Sequence, residues 1–121
     1  MAKLDHIGIY VNNLGNSLNF YFDLFEFKLV DKFTSGESKI ATLDIRGGLL
    51  ELINRPRSPG APPMGNWSHL AIHEPKFDEA LEKLESMKID IRLVTRSDGS
   101  RLCFFNDPDG YTIEIMETGF T

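Results

Sequence analysis

Asn106-Asp107-Pro108-Asp109-Gly110-Tyr111-Thr112-Ile113-Glu114-Ile115-Met116 is the stretch that decides the fold. It opens with turn chemistry: Pro108 fixes one φ, and Gly110 can take a positive one. Alternation follows at once. Ile113 and Ile115 point to one face of a strand, and Thr112, Glu114 and Met116 to the other. A tight turn therefore feeds a strand that carries a carboxylate on its less apolar face. A lone glutamate in such a place is ordinarily a solvated residue, but this one has a counterpart.

Working outward, Gly47-Gly48-Leu49-Leu50-Glu51-Leu52-Ile53 repeats the design: a turn, then a glutamate among aliphatics. Each glutamate has a histidine 45 positions upstream, His6 for Glu51 (51 − 6) and His69 for Glu114 (114 − 69). The flanks match as well, His6-Ile7-Gly8-Ile9 against His69-Leu70-Ala71-Ile72. The chain is thus two copies of one unit, offset by 63 residues (69 − 6), and such a repeat sets the architecture.

Length and composition bound the rest. The 121 residues suffice for one ordinary core, whereas half that length is marginal alone, so the halves are expected to pack on each other or on a second chain. A net charge of −5 without a basic stripe argues against nucleic acid or anionic membrane as partner. Cys103 is the single cysteine, which excludes an intrachain disulfide. Its apolar flanks predict a buried thiol. No apolar leader or membrane-length run is present, and the expected setting is a soluble, cytoplasmic one.

Taken in order, the periodicity predicts a strand over 4–11, then a helix over 14–25 with Leu14, Leu18, Tyr21, Phe22 and Phe25 as its apolar face. Asn12-Asn13 supplies its N-cap. Strands follow over 27–33, 40–45 and 49–53. Residues 54–66 hold four of the six prolines, and we read them as a linker between modules spanning 4–53 and 67–117. Arg55 and Arg57 at its start are candidates to hold an anionic substrate, or simply solvated. The second unit repeats the order: a strand over 68–73, a helix over 76–87 with Pro75 in its first turn, and strands over 89–94, 101–105 and 111–116. The fold class is α+β, two βαβββ modules, with His73 sharing the parity of His69.

Alternation puts His6, Glu51, His69 and Glu114 on faces opposite the aliphatics that pack the helices. Carboxylates gathered on such a face cost free energy unless compensated. A divalent cation resolves this, and two imidazoles with two carboxylates suit Zn²⁺, Ni²⁺, Co²⁺, Mn²⁺ or Fe²⁺. Four protein ligands leave up to two positions for substrate oxygens in an octahedral site, where the ion acts as a Lewis acid and a glutamate moves the proton. From strand parity or proximity, Tyr10, Arg101, Phe105 and Met116 are candidates to line the pocket, each with a core or surface role as the alternative.

Three signposts carry a family resemblance: Asp5-His6-Ile7-Gly8-Ile9, Phe20-Tyr21, and the F-x-x-DPDG-x-x-IE pattern in Phe104 to Ile115. Over essentially its whole length the chain resembles the vicinal oxygen chelate superfamily of glyoxalase I, bleomycin-resistance proteins and extradiol dioxygenases. Glyoxalase I-like lactoylglutathione lyases are nearest. The resemblance implies paired βαβββ modules and a metal set in the order His6, Glu51, His69, Glu114. It implies nickel or zinc as the metal, with cobalt, manganese or iron as alternatives. Glu114 is the first candidate base and Glu51 the second.

The same resemblance implies isomerisation of a hemithioacetal to an α-hydroxy thioester by a carbon–sulfur lyase. Its small-molecule substrate would be a thiol adduct. It also implies a homodimer whose clefts pair the first unit of one chain with the second of its partner; pairing within one chain stays open. Epimerases and dioxygenases of the superfamily usually keep only equivalents of His6, His69 and Glu114, so Glu51 tilts the reading toward glyoxalase I. A small-molecule binding or resistance protein is the alternative from another class. Two departures stand out: Phe25-Glu26-Phe27 replaces the family's Leu-Gly-Phe at the end of the first helix, and the glutathione-binding residues have no obvious equivalents.

Overall fold

A computed structural model describes residues 1–63 and 65–120. Two compact units divide the chain, Met1–Pro62 and Pro63–Thr121, so the boundary falls inside the proline-rich segment 54–66, of which Met64 lies outside the described residues.

In the first unit, β1 (His6–Tyr10) leads through α1 (Leu14–Phe25) into β2 (Lys28–Ser35), β3 (Ser38–Asp44) and β4 (Leu49–Asn54). In the second, β5 (Leu70–His73) leads through α2 (Phe77–Ser86) into β6 (Arg92–Thr95), β7 (Arg101–Asn106) and β8 (Thr112–Met116). Each sheet has four strands, ordered β1-β4-β3-β2 and β5-β8-β7-β6. The outer strands β1 and β5 run parallel to β4 and β8, and the other pairs are antiparallel. The architecture is α+β, the βαβββ unit built twice.

Local chemistry explains the boundaries. The Asn13 carboxamide caps α1 by accepting from the Asn16 N–H at 2.9 Å. The helix ends where Glu26 turns left-handed, φ 59°, with its N–H donating to the Phe22 carbonyl. Its buried face is Leu14, Ser17, Phe20, Tyr21, Leu24 and Phe25. Phe22, expected in that face, is exposed, because the stripe follows Phe20 and Leu24 round the helix. Helix α1 packs on β3 and β4, over the buried Ala41, Leu43, Leu50 and Leu52.

Helix α2 buries Phe77, Ala80 and Leu84. Its N-cap is Lys76, so Pro75 precedes the helix instead of entering its first turn. No side chain caps it; Asp78 and Glu79 in the first turn face the positive end of its dipole. The strand expected over 89–94 begins only at Arg92. The turn before β8 is built by Asp107, a buried carboxylate that accepts from the N–H groups of Asp109 and Tyr111, each at 2.9 Å. Gly110 takes φ 92° there.

Candidate functional site

Register explains the first His–Glu pair. β1 and β4 are parallel with Gly8 opposite Glu51, so His6, two residues before Gly8, shares the face of Glu51. His6 Nε2 stands 3.8 Å from Glu51 Oε1. Its other nitrogen, Nδ1, lies 2.7 Å from Asp5 Oδ2, which fixes the ring and turns Nε2 toward the carboxylate. That bond to Asp5, with a smaller contribution from Glu51, raises the His6 pKa above its ordinary value against the opposing effect of burial. Gly8 leaves the carboxylate its room: a Cβ there would sit 3.1 Å from Glu51 Oε1.

The second pair repeats this geometry. Ala71 lies opposite Glu114 in the parallel β5–β8 pair, and His69, two residues earlier, shares their face. His69 Nε2 is 3.4 Å from Glu114 Oε1. His69 Nδ1 is again held by the preceding residue, 2.7 Å from Ser68 Oγ. Trp67 fastens the approach to His69 by donating from Nε1 to the Thr112 carbonyl at 3.4 Å and standing edge-on to Tyr111. Glu114 is only 6% exposed, and the His69 imidazole is the one basic side chain that reaches it among the described residues. A carboxylate so enclosed costs free energy unless a cation meets it.

These pairs fit a metal in donor type and spacing. Two ligands each about 2.0–2.1 Å from zinc at a tetrahedral angle stand about 3.4 Å apart. The second pair already has this separation, and the first is a few tenths of an ångström wider. Each unit supplies one imidazole and one carboxylate. Among the described residues no three His, Cys, Asp or Glu side chains gather into a metal-holding group, so the four expected ligands are found as two pairs, one per unit.

The family model of the Glyoxalase/Bleomycin resistance protein/Dioxygenase superfamily matches residues 3–115. The chain belongs to this superfamily. An uncharacterized protein, YwbC, of Bacillus subtilis is 32% identical, with 97% of this chain and 99% of that protein aligned. The fold is shared with the crystal structure of a glyoxalase family protein from Enterococcus faecalis, at TM-score 0.80 and 24% identity over 95% of this chain and 97% of that one. It is shared also with glyoxalase I from Zea mays, at TM-score 0.83 and 21% identity; there 98% of this chain corresponds to 46% of the longer one.

Within this superfamily fold, the four expected pocket-lining residues separate. Tyr10 lies on the face of His6 and Glu51, since its register partner Ile53 shares the parity of Glu51; the Arg55 guanidinium sits 4.3 Å from its ring centre. Met116 shares the face of Glu114 but is buried. Phe105 is a correction. It alternates with Phe104, whose register partner is Glu114, so Phe105 lies on the opposite, core-facing side with Cys103. Both are buried there, and burial pushes the Cys103 thiol up to about 11. Arg101 is a second correction. It is tied to Glu117 at 2.7 Å and Asp78 at 2.9 Å and lies over Phe77 of α2, so it braces the helix side of the sheet.

The sequence reading missed Phe104, which meets the His69 ring edge-on at 5.9 Å. It also missed Asp5 and Ser68, although both stand one residue before a flagged histidine in both copies of the repeat. His73 keeps the parity of His69 at the far end of β5; a Cβ on Gly119 would lie 3.1 Å from its ring.

No helix among the described residues is long and apolar enough to cross a membrane.

Proposed function

We propose that this chain is a metal-dependent lyase or isomerase of the glyoxalase I kind, acting on a small molecule with two vicinal oxygens. The observation that carries the reading is the doubled His–Glu pair, each imidazole braced at Nδ1 by the residue before it and aimed by Nε2 at its glutamate. Two donors are too few for a catalytic zinc site, which takes three or more protein ligands. The reading therefore needs both pairs, His6 and Glu51 with His69 and Glu114, around one ion. Supply of the two pairs by different subunits of a homodimer is part of this proposal, as is a hemithioacetal substrate.

A divalent ion held by His6, Glu51, His69 and Glu114 would supply Lewis acidity to the substrate's vicinal oxygens. The residues do the rest. The imidazoles are oriented by their Nδ1 partners, so that Nε2 is the nitrogen each would offer to the ion. Glu114 is the first candidate to carry the proton between the two adjacent carbons, because it is the more enclosed carboxylate and has no backbone donor competing for it among its described contacts. Glu51 is the second candidate, on the equivalent strand of the other unit. A carboxylate that ligates a cation is a poor base, so whichever of Glu114 and Glu51 carries the proton would have to be the more weakly held of the two. Tyr10 and Phe104 offer apolar walls beside the pairs.

The test has two stages. Metal analysis of the purified protein should find a divalent ion, nickel or zinc first, that is lost with His6→Ala and with His69→Ala. Full occupancy in the double variant would overturn the assignment. The loaded protein is then assayed for thioester formation from methylglyoxal and a thiol. Glu114→Gln is expected to lower the rate by at least about a hundredfold, the scale of general-base catalysis. Metal without turnover with any thiol would shift the reading to an epimerase, a dioxygenase or a small-molecule binder.

A further inference from the structure

The two sheets carry different chemistry at one pair of equivalent places. In the second unit, register lines Ala71, Glu114, Phe104 and Arg92 into one row across β5, β8, β7 and β6. In the first unit the matching row is Gly8, Glu51, Thr42 and Asp31. One copy thus ends its row with a cation on an aromatic ring, the other with a carboxylate beside a hydroxyl. The Arg92 guanidinium lies 4.6 Å from the centre of the Phe104 ring, the same ring that the His69 imidazole meets edge-on. Arg92, Phe104, Asn106 and Thr112 line an open cavity of about 560 Å³, which Phe105 and residues 89–91 also border and which stops short of His69 and Glu114.

Arg92 is not engaged elsewhere as its neighbours are. Arg96 has Asp98, and Arg101 has Asp78 and Glu117. No carboxylate among the described residues comes within 4.0 Å of Arg92, not even Asp90, which shares the cavity wall. A guanidinium over a ring is attracted through its flat face. Its N–H donors lie in its own plane and suit two-point contact with a carboxylate or a phosphorus oxyanion.

Resting on the metal reading above, we infer that Arg92 binds a negatively charged group of the substrate. The substrate is then an anion whose charged group is distinct from the oxygens that meet the ion. Arg92 stands two strands from Glu114, and at about 4.8 Å per strand this sets their backbones about 10 Å apart. Both side chains rise from the same face, and the long arginine stem can lean across Phe104. An anionic group a few bonds from the chelating oxygens spans that gap. Arg92 positions the substrate and takes no part in proton transfer.

The experiment compares three chelating probes on the metal-loaded protein by calorimetry: acetohydroxamate, phosphonoacetohydroxamate and succinic monohydroxamate. The first has only the chelating group; the others add a phosphonate or a carboxylate. Wild-type protein should prefer at least one charged probe over acetohydroxamate by about tenfold or more, the scale of a hydrogen-bonded ion pair. Which one wins tells a tetrahedral anion from a planar one. Arg92→Met should abolish the preference while leaving acetohydroxamate affinity and metal content unchanged, and Arg92→Lys should restore part of it. No preference in wild type, or a preference that survives Arg92→Met, overturns the inference and leaves the metal centre standing. Absence of both metal and acetohydroxamate binding overturns the metal reading, and this inference with it.

Discussion

Glu26 shows how one residue type departs from what its backbone asks. It closes α1 in the left-handed region, φ 59° and ψ 29°, where a Cβ is disfavoured and glycine is the usual occupant. Nothing in the described structure gives the Glu26 side chain a compensating bond. Glu26→Gly is therefore expected to stabilise the protein despite the extra freedom glycine gives the unfolded chain. The expected gain is about 0.5–1 kcal/mol, read as a higher midpoint in thermal or urea unfolding, with metal binding unchanged. Asp107 is the opposite case: a buried carboxylate whose two backbone N–H bonds make the Asp-Pro-Asp-Gly turn a single structure, which is why that turn could be read from sequence.

At the scale of elements, what was legible depended on whether a local pattern sufficed. Ten elements follow from hydrophobic period and turn residues, with boundaries displaced by a few positions, as at β6, because a strand's ends are set by its neighbour's hydrogen bonds. Facing was legible where one residue type alternates with another, as with Glu114 between Ile113 and Ile115. It was not legible in Leu102-Cys103-Phe104-Phe105, where every residue is apolar; only the pairing of Phe104 with Glu114 decides that Phe104 and not Phe105 faces the site. Arg101 was misplaced for a similar reason, since its partners Asp78 and Glu117 lie on other elements.

The His–Glu pairs were legible because the repeat doubles the signal, and their closeness comes from the parallel register that the repeat preserves. Gly8 tests that register. Its counterpart in β5 is Ala71, so a methyl group is compatible with this strand; but a Cβ at position 8 would stand 3.1 Å from Glu51 Oε1. Gly8→Ala should keep the fold, as judged by circular dichroism, and weaken metal binding severalfold by displacing the carboxylate. Unchanged affinity would mean that Glu51 does not ligate in the position it occupies here.

For the whole molecule the question is which two pairs would share the proposed ion. A half of about 60 residues is only marginally stable alone, so each unit gains from a partner, and a second chain or the other half would serve. Complementation separates them. One variant carries His6→Ala and Glu51→Ala, the other His69→Ala and Glu114→Ala. Alone, each should bind no metal, because every cleft lacks one pair. In a two-fold dimer with clefts shared between subunits, the mixed dimer pairs the intact first unit of one chain with the intact second unit of the other, and its second cleft lacks both pairs. Random exchange puts about half of the molecules in mixed dimers with one working cleft of two, so about a quarter of wild-type metal should return on mixing. If the cleft forms within one chain, both chains stay defective and mixing returns nothing.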